Sequence, residues 1–306
     1  MPASLSLAVK DLLALLAVIV IWGLNFVPMK FALADFTPLQ LGAGRFLLAS
    51  LPFLAFAARP QLPWRWLLLY SLTQGVGQFV MLFWALNVGM SAGLASLLMQ
   101  VQIFFTALLG ALLLHETISQ ALKVGLTVAA AGLGCFIVSI LSEHNPAAVS
   151  AIGFGLTLGA AAMWSGSNVV TKKIHALGSA VNPFALVVWS SLLSGCIYAL
   201  LTLLLDAPTS HSQWLQASSR GWLSMLYLAW AANALGYWVW AHLLTKYPAS
   251  QIAPFSLGVP VVGLLGGILI LGESVSPLQW LGVVLVMSAL AFVVLGSRQR
   301  ANRREE

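Results

Sequence analysis

Ten long apolar runs alternate along the chain with short polar or proline-bearing breaks. They fall at about 11–32, 38–58, 66–88, 92–114, 119–141, 151–173, 184–205, 222–243, 249–271 and 277–296. At 1.5 Å per residue, each run is long enough to carry a helix through roughly 30 Å of hydrocarbon. The breaks hold the residues that stop helices: Pro38, the segment Arg59 to Pro63, Asn145 with Pro146, Asn182 with Pro183, Pro208 and Pro277. The runs are too long and too continuously apolar for the alternating strands of a membrane barrel. The pattern predicts an all-α integral membrane protein with ten transmembrane helices. The longest polar connection, about 206–221, is too short to bury a core of its own.

The pattern also repeats. The segment Ala92–Glu116 reappears 157 positions later as Ala249–Glu273, with alanine on alanine and glutamate on glutamate; Ser119 and Gly125 fall on Ser276 and Gly282 at the same offset. In the first run Asn25 stands five residues before Lys30 and just after Trp22. In the sixth, Asn168 stands five before Lys173 and just after Trp164. Runs two and three match seven and eight only loosely. Agreement in order across three pairs of runs predicts a duplicated chain, 1–145 and 146–306, the second half ending in a short basic tail. Five crossings is an odd number, so the halves are expected to lie in opposite orientation, as two inverted five-helix repeats.

Composition narrows the class. Of 306 residues, 60% are hydrophobic and 7% charged, and the mean hydropathy is +0.95; a soluble domain carries about 25% charge. The formal net charge of +6 would suggest nucleic acid in a soluble protein. Here it follows instead from basic residues held on one side of a bilayer, and no nucleic-acid partner is expected. With both termini in the cytoplasm, eleven of the fourteen lysines and arginines fall inside, Lys30 and Arg220 outside, and Arg45 within a run. Lys10 precedes a long apolar run without a small-x-small cleavage site, which predicts an uncleaved first helix. Cys135 and Cys196 sit inside apolar runs and read as small buried hydrophobes. No pair of histidines has zinc spacing, so neither metal nor cofactor is expected. Monomer and homodimer remain equally open.

Polar groups inside the runs are the candidate chemistry, because hydrocarbon penalises them unless they face protein or a wet cavity. Trp22 and Asn25, Gln74 and Gln78, Trp164 and Asn168, and Asn233, Tyr237 and Trp240 are spaced to form one stripe on each of four helices. Amides both donate and accept, which suits a small zwitterion or polar metabolite. The alternative is interhelical hydrogen bonding, worth under about 1 kcal/mol per bond; four such sets in repeat-related helices favour a substrate cavity. Gln100 and Gln102 are turned about 200° from each other, so only one is expected to face that cavity. Gln102, on a stripe with Met99 and Thr106, is retained as the candidate; Gln100 shares a stripe with Ser96, and the sequence does not choose.

Pro254 and Pro260, and Pro28 with Gly23, are expected to break or kink their helices. His242 is the one histidine placed to touch a pathway. Glu116 and Glu273 close their runs, where they are expected to be hydrated or to hold nearby backbone. Arg45 lies roughly 10 Å along its helix from Pro38, a depth that allows its guanidinium to snorkel outward. It has two readings, which stay open. One pairs it with Asp35, Glu273 or freed carbonyls; the other gives it a substrate carboxylate, whose planar geometry a guanidinium matches.

The ten runs in two halves, Trp22-Gly23-Leu24-Asn25-Phe26, Arg45-Phe46, and a glutamate closing the fourth and ninth runs together resemble the drug/metabolite transporter superfamily, EamA-type, over essentially the whole chain. Within it, Ala92 to Leu97, Asn168 with Lys172-Lys173, and Val259 to Leu264 look most similar to bacterial inner-membrane exporters of cysteine and O-acetylserine. The resemblance implies a multi-pass inner-membrane secondary transporter that exports small amino acids by alternating access. Aromatic amino acids, other metabolites and drugs are carried on the same scaffold. Two other classes stand beside it. An intramembrane enzyme would draw on Ser165, Ser167, His175 and His242, which have no recognisable nucleophile context. A channel would need rings of like groups, and the sequence shows none.

Overall fold

Helix starts are written into the connections. Thr37 and Gln40 form a reciprocal capping box at 3.1 Å in each direction, with Pro38 at the first helical position. Asn182 accepts from the backbone N–H of Phe184 and Ala185 ahead of Pro183. Ser91 and Ser218 accept from Leu94 and Gly221 in the same way. The computed structural model describes residues 8–116, 118, 120–142, 150–176 and 181–305. Ser119 and the expected junction of the halves at 145/146 lie outside these.

All regular structure among the described residues is helical. In chain order the helices are α1 (Val9–Ala32), α2 (Pro38–Phe56), α3 (Trp64–Asn87), α4 (Ala92–Leu114), α5 (Gln120–Leu141), α6 (Ala151–Ala176), α7 (Pro183–Leu205), α8 (219–246), α9 (249–271) and α10 (Pro277–Glu305). Eight are long and apolar enough to cross a membrane: α1 to α5, α7, Pro254–Leu271 of α9 and Pro277–Val294 of α10. This is fewer than the ten the apolar runs predict. The shortfall lies in α6 and α8, which match the others in length but carry Ser165, Ser167, Asn168, Asn233 and Tyr237 at mid-helix. Ser165, Ser167 and Asn233 are buried, so protein rather than lipid surrounds these polar groups, and apolarity along the whole helix is not required.

Six helices depart from α geometry, α2 by closing in a 3₁₀ stretch, Leu51–Phe56. Helix α1 is interrupted at Asn25, where Pro28 has no N–H to offer the carbonyl of Leu24. Both α3 and α8 contain a π-helical stretch, Ser71–Gly77 and Tyr227–Leu235. Both α4 and α9 contain a 3₁₀ stretch, Met99–Val101 and Ala253–Leu257, the latter with Pro254 near its start. Helices α4 and α9 also end alike. His115 (φ 55°) and Gly272 (φ 67°) are left-handed, and the following glutamate N–H returns to a glycine carbonyl: Glu116 to Gly110 at 3.2 Å, Glu273 to Gly267 at 3.0 Å.

Packing follows the same correspondence. Helix α5 lies along α10, α2 along α7, and α4 along α9; α3 packs on α6 as α1 packs on α8, and α4 on α6 as α1 on α9. Every one of these pairings survives exchange of each helix with the one five places on. Helices α4 and α9 approach closely at glycine. A Cβ added to Gly267 would stand 2.9 Å from the backbone nitrogen of Gly93, so only glycine fits. Large apolar side chains such as Leu112, Leu113, Ile137, Val138 and Leu203 to Leu205 are exposed on the perimeter, as a protein solvated by lipid requires.

Candidate functional site

Helices α1, α3, α4, α6, α8 and α9, with one residue from α2, enclose a cavity of about 410 Å³, within the range of small-molecule sites. Ten of the eleven residues singled out from the sequence line it: Trp22, Asn25, Arg45, Gln74, Gln78, Gln102, Trp164, Asn168, Tyr237 and Trp240. Both halves of the chain contribute.

One wall is aromatic. The ring centroid of Trp22 is 5.3 Å from those of Tyr237 and Trp240, and its indole N–H donates to the carbonyl of Ala232 at 2.9 Å, inside the π turn of α8. Beside it runs a set of amides. Asn168 donates to Gln102 Oε1 at 2.8 Å and Thr106 Oγ1 at 3.0 Å. Gln74 donates to Tyr237 Oη at 3.3 Å and accepts from Ser167. These bonds join α3, α4, α6 and α8 around the cavity, so the amides hold the walls together while lining them.

Asn233 is the exception. It donates to Ser191 Oγ of α7 at 3.2 Å and lines a much smaller void of about 20 Å³ behind Gln74 and Tyr237. The four-residue spacing to Tyr237 implied a shared stripe, but the π turn ending at Leu235 widens the helix locally and turns Asn233 away. The expectation that only one of Gln100 and Gln102 meets the cavity is also corrected, since both line it. They do not share a face. Gln100 points toward α9, donating to the Ser256 carbonyl that Pro260 cannot bond (3.4 Å), whereas Gln102 faces α6. The cavity touches both flanks of α4.

Arg45 does not snorkel. It is 2% exposed, with its Cζ 4.1 Å from the centroid of Phe79. The anticipated partners are engaged elsewhere. Asp35 accepts from Ser218, and Glu273 accepts from Ser91 Oγ (2.6 Å), Ala92 N (2.6 Å) and Gly93 N (2.9 Å). His242 is exposed and stacks on Trp238 at 5.9 Å, away from the cavity. Ser165 donates to the carbonyls of Ala161 and Gln102, and Ser167 to Gln74 and the carbonyl of Trp164; neither serine is bonded to a histidine.

Sequence reasoning missed Tyr70, Phe79 and Thr171, which also line the cavity. Tyr70 was recoverable, four residues before Gln74 on the stripe that continues to Gln78. Thr171 was recoverable at three residues after Asn168. Phe79 had no spacing signal. Among the described residues, Arg45 is the one charged residue in the lining, and no aspartate or glutamate is part of it. On α6 and α8 the lining runs from mid-helix to Thr171 and Trp240, toward the ends that carry Lys172 and Lys246. At the other end Glu273, Lys30 (to the Leu86 carbonyl, 3.0 Å), Thr37 with Asp206, and Gln40 with the Ser210 carbonyl (2.7 Å) knit the helices together.

A multi-pass helical membrane protein with a polar cavity shared between corresponding helices of its two halves has the build of a small-molecule transporter. The chain belongs to the EamA-like transporter family, whose model matches it twice, over residues 9–139 and 151–295. It is 41% identical over 296 residues to a protein of Salmonella typhimurium named a probable amino-acid metabolite efflux pump, covering 96% of this chain and 98% of that one. A protein of Escherichia coli K12 with the same name is 41% identical over 293 residues, covering 95% and 97%. A crystal structure at 17% identity superposes with a TM-score of 0.62 over 95% of this chain and 98% of that chain, a likeness of fold.

Proposed function

We propose that this protein exports small polar amino acids, of the cysteine and O-acetylserine kind, across the bacterial inner membrane by alternating access. In this reading all ten helices cross the bilayer as inverted repeats of five, 1–145 and 146–306, with both termini cytoplasmic. The observation that carries it is the amide- and aromatic-lined cavity built by both halves; the names of the relatives and the exchangeable helix pairings support it. The basic residues Lys172 and Lys246 lie at the cytoplasmic end by charge bias. On α6 and α8 the lining extends toward that end, and hydrogen bonds of Glu273 tie the helices at the other, which supports reading this state as inward-facing.

The test is counterflow of labelled L-cysteine and O-acetyl-L-serine by the purified protein in liposomes, beside growth of an overexpressing strain on toxic amino acids. Export should fall at least fivefold for Asn25→Ala, Gln78→Ala and Asn168→Ala at unchanged membrane abundance. Parallel loss of abundance and transport would make these amides structural, and a medium without excess of any amino acid would remove the class. Reporter fusions after Arg300 and near Arg59 should read cytoplasmic and one near Asp206 periplasmic; any other pattern breaks the ten-span topology.

A further inference from the structure

Three buried polar groups around the cavity have no protein partner for the atoms they offer: Arg45 at Nε and Nη1, Asn25 at Oδ1 and Gln78 at Oε1. Buried polar atoms are normally satisfied, and a buried guanidinium especially so. These three residues belong to three different helices, α2, α1 and α3, and all line the same cavity. All three residues border one space, so a ligand bound there completes the bonding once their side chains turn toward it.

The chemistry of that ligand can be read from the orphans. Arg45 supplies only donors and stays charged. Its flat face is covered by Phe79, with Cζ 4.1 Å from the ring centroid, which leaves the N–H groups in the guanidinium plane as the available ones. An in-plane fork of donors matches a carboxylate. Among the described residues the lining contains no aspartate or glutamate to neutralise it. Asn25 and Gln78 present carbonyl oxygens, acceptors suited to an ammonium or hydroxyl. We infer that Arg45, Asn25 and Gln78 form a receptor for the head group of a zwitterionic α-amino acid, with the carboxylate on Arg45 and the ammonium between the two amide oxygens. The side chain of the cargo then lies against the Trp22 wall. This inference rests on the cavity being the transport site, and it specifies what every cargo must carry: a free carboxylate and a free amine.

The experiment uses the full-length protein in liposomes, with counterflow of labelled L-serine, L-cysteine and O-acetyl-L-serine. Competitors are L-serine, ethanolamine (serine without its carboxylate) and N-acetyl-L-serine (serine without its ammonium). L-Serine should compete at least tenfold better than either. Arg45→Lys should raise KM at least tenfold at normal abundance, and Arg45→Gln should erase the preference for serine over ethanolamine. Ethanolamine competing as well as serine, or an unchanged KM in Arg45→Lys, overturns the receptor. Should Arg45→Gln fail to accumulate, the wild-type competitor series and Arg45→Lys still decide. Counterflow that is lost in Asn168→Ala but indifferent to Arg45 removes this inference alone. Absence of counterflow for all three amino acids removes the transport reading with it.

Discussion

Glu116 and Glu273 have the same local structure and opposite surroundings. Each follows a left-handed residue at the end of α4 or α9 and returns its N–H to a glycine six residues back. Glu273 then reaches across to the start of α4, where Ser91, Ala92 and Gly93 all donate to its carboxylate. A carboxylate at a helix N-terminus satisfies open N–H groups and meets the positive end of the helix dipole. Glu116 instead pairs with Lys172 at 2.8 Å, with both side chains nearly half exposed. One sequence motif thus holds the facing helix start by backbone N–H groups at one end and a lysine side chain at the other. The repeat encodes a carboxylate at each end, and among the described residues its partners are backbone donors at one end and Lys172 at the other.

The contrast can be broken by substitution. Glu273→Gln should cost about 2–3 kcal/mol of stability in detergent, since hydrogen bonds to a charged acceptor are lost and an amide N–H₂ is turned toward backbone donors. A midpoint of denaturation equal to wild type would show that the contact is not energetic. Next in size, Gly267→Ala should cost about 1–3 kcal/mol, because its new methyl group meets the backbone of Gly93. Gly110→Ala meets only the flexible tips of Glu116 and Lys172 and should be nearly neutral. Equal effects at the two glycines would erase the distinction. Smallest, Glu116→Gln should change stability by less than about 1 kcal/mol, and that little should vanish at high salt. A larger, salt-independent loss would mean Glu116 is as engaged as its counterpart.

The helices were legible because proline and capping residues sit at their starts: the runs 38–58, 92–114 and 249–271 begin at the residues where α2, α4 and α9 begin. The cavity was legible because polar residues in apolar runs have few other reasons to exist, and their helical spacing put most of them on one side. Asn233 failed where that spacing failed, at a π turn that no periodicity reveals. Gln100 failed because a stripe argument assumes one cavity face per helix. The depth of Arg45 was estimated along its own helix, whereas its burial depends on Phe79 of α3, a partner distant in sequence. The grip of Glu273 on residues 91 to 93 is likewise a contact between ends far apart in the chain, which spacing cannot supply.

The two π turns also bear on how such a chain could have arisen. The turn in α8 gives the Ala232 carbonyl to the indole of Trp22, and the turn in α3 gives the Val76 carbonyl to the hydroxyl of Tyr198 at 2.9 Å. In each case the acceptor lies in one half of the chain and the donor in the other. A half-length ancestor would have left both carbonyls wanting a donor unless a second copy was docked against it. Gene fusion would then have made permanent a partnership that the single unit already depended on, and the two copies could afterwards diverge into a cage with unlike walls.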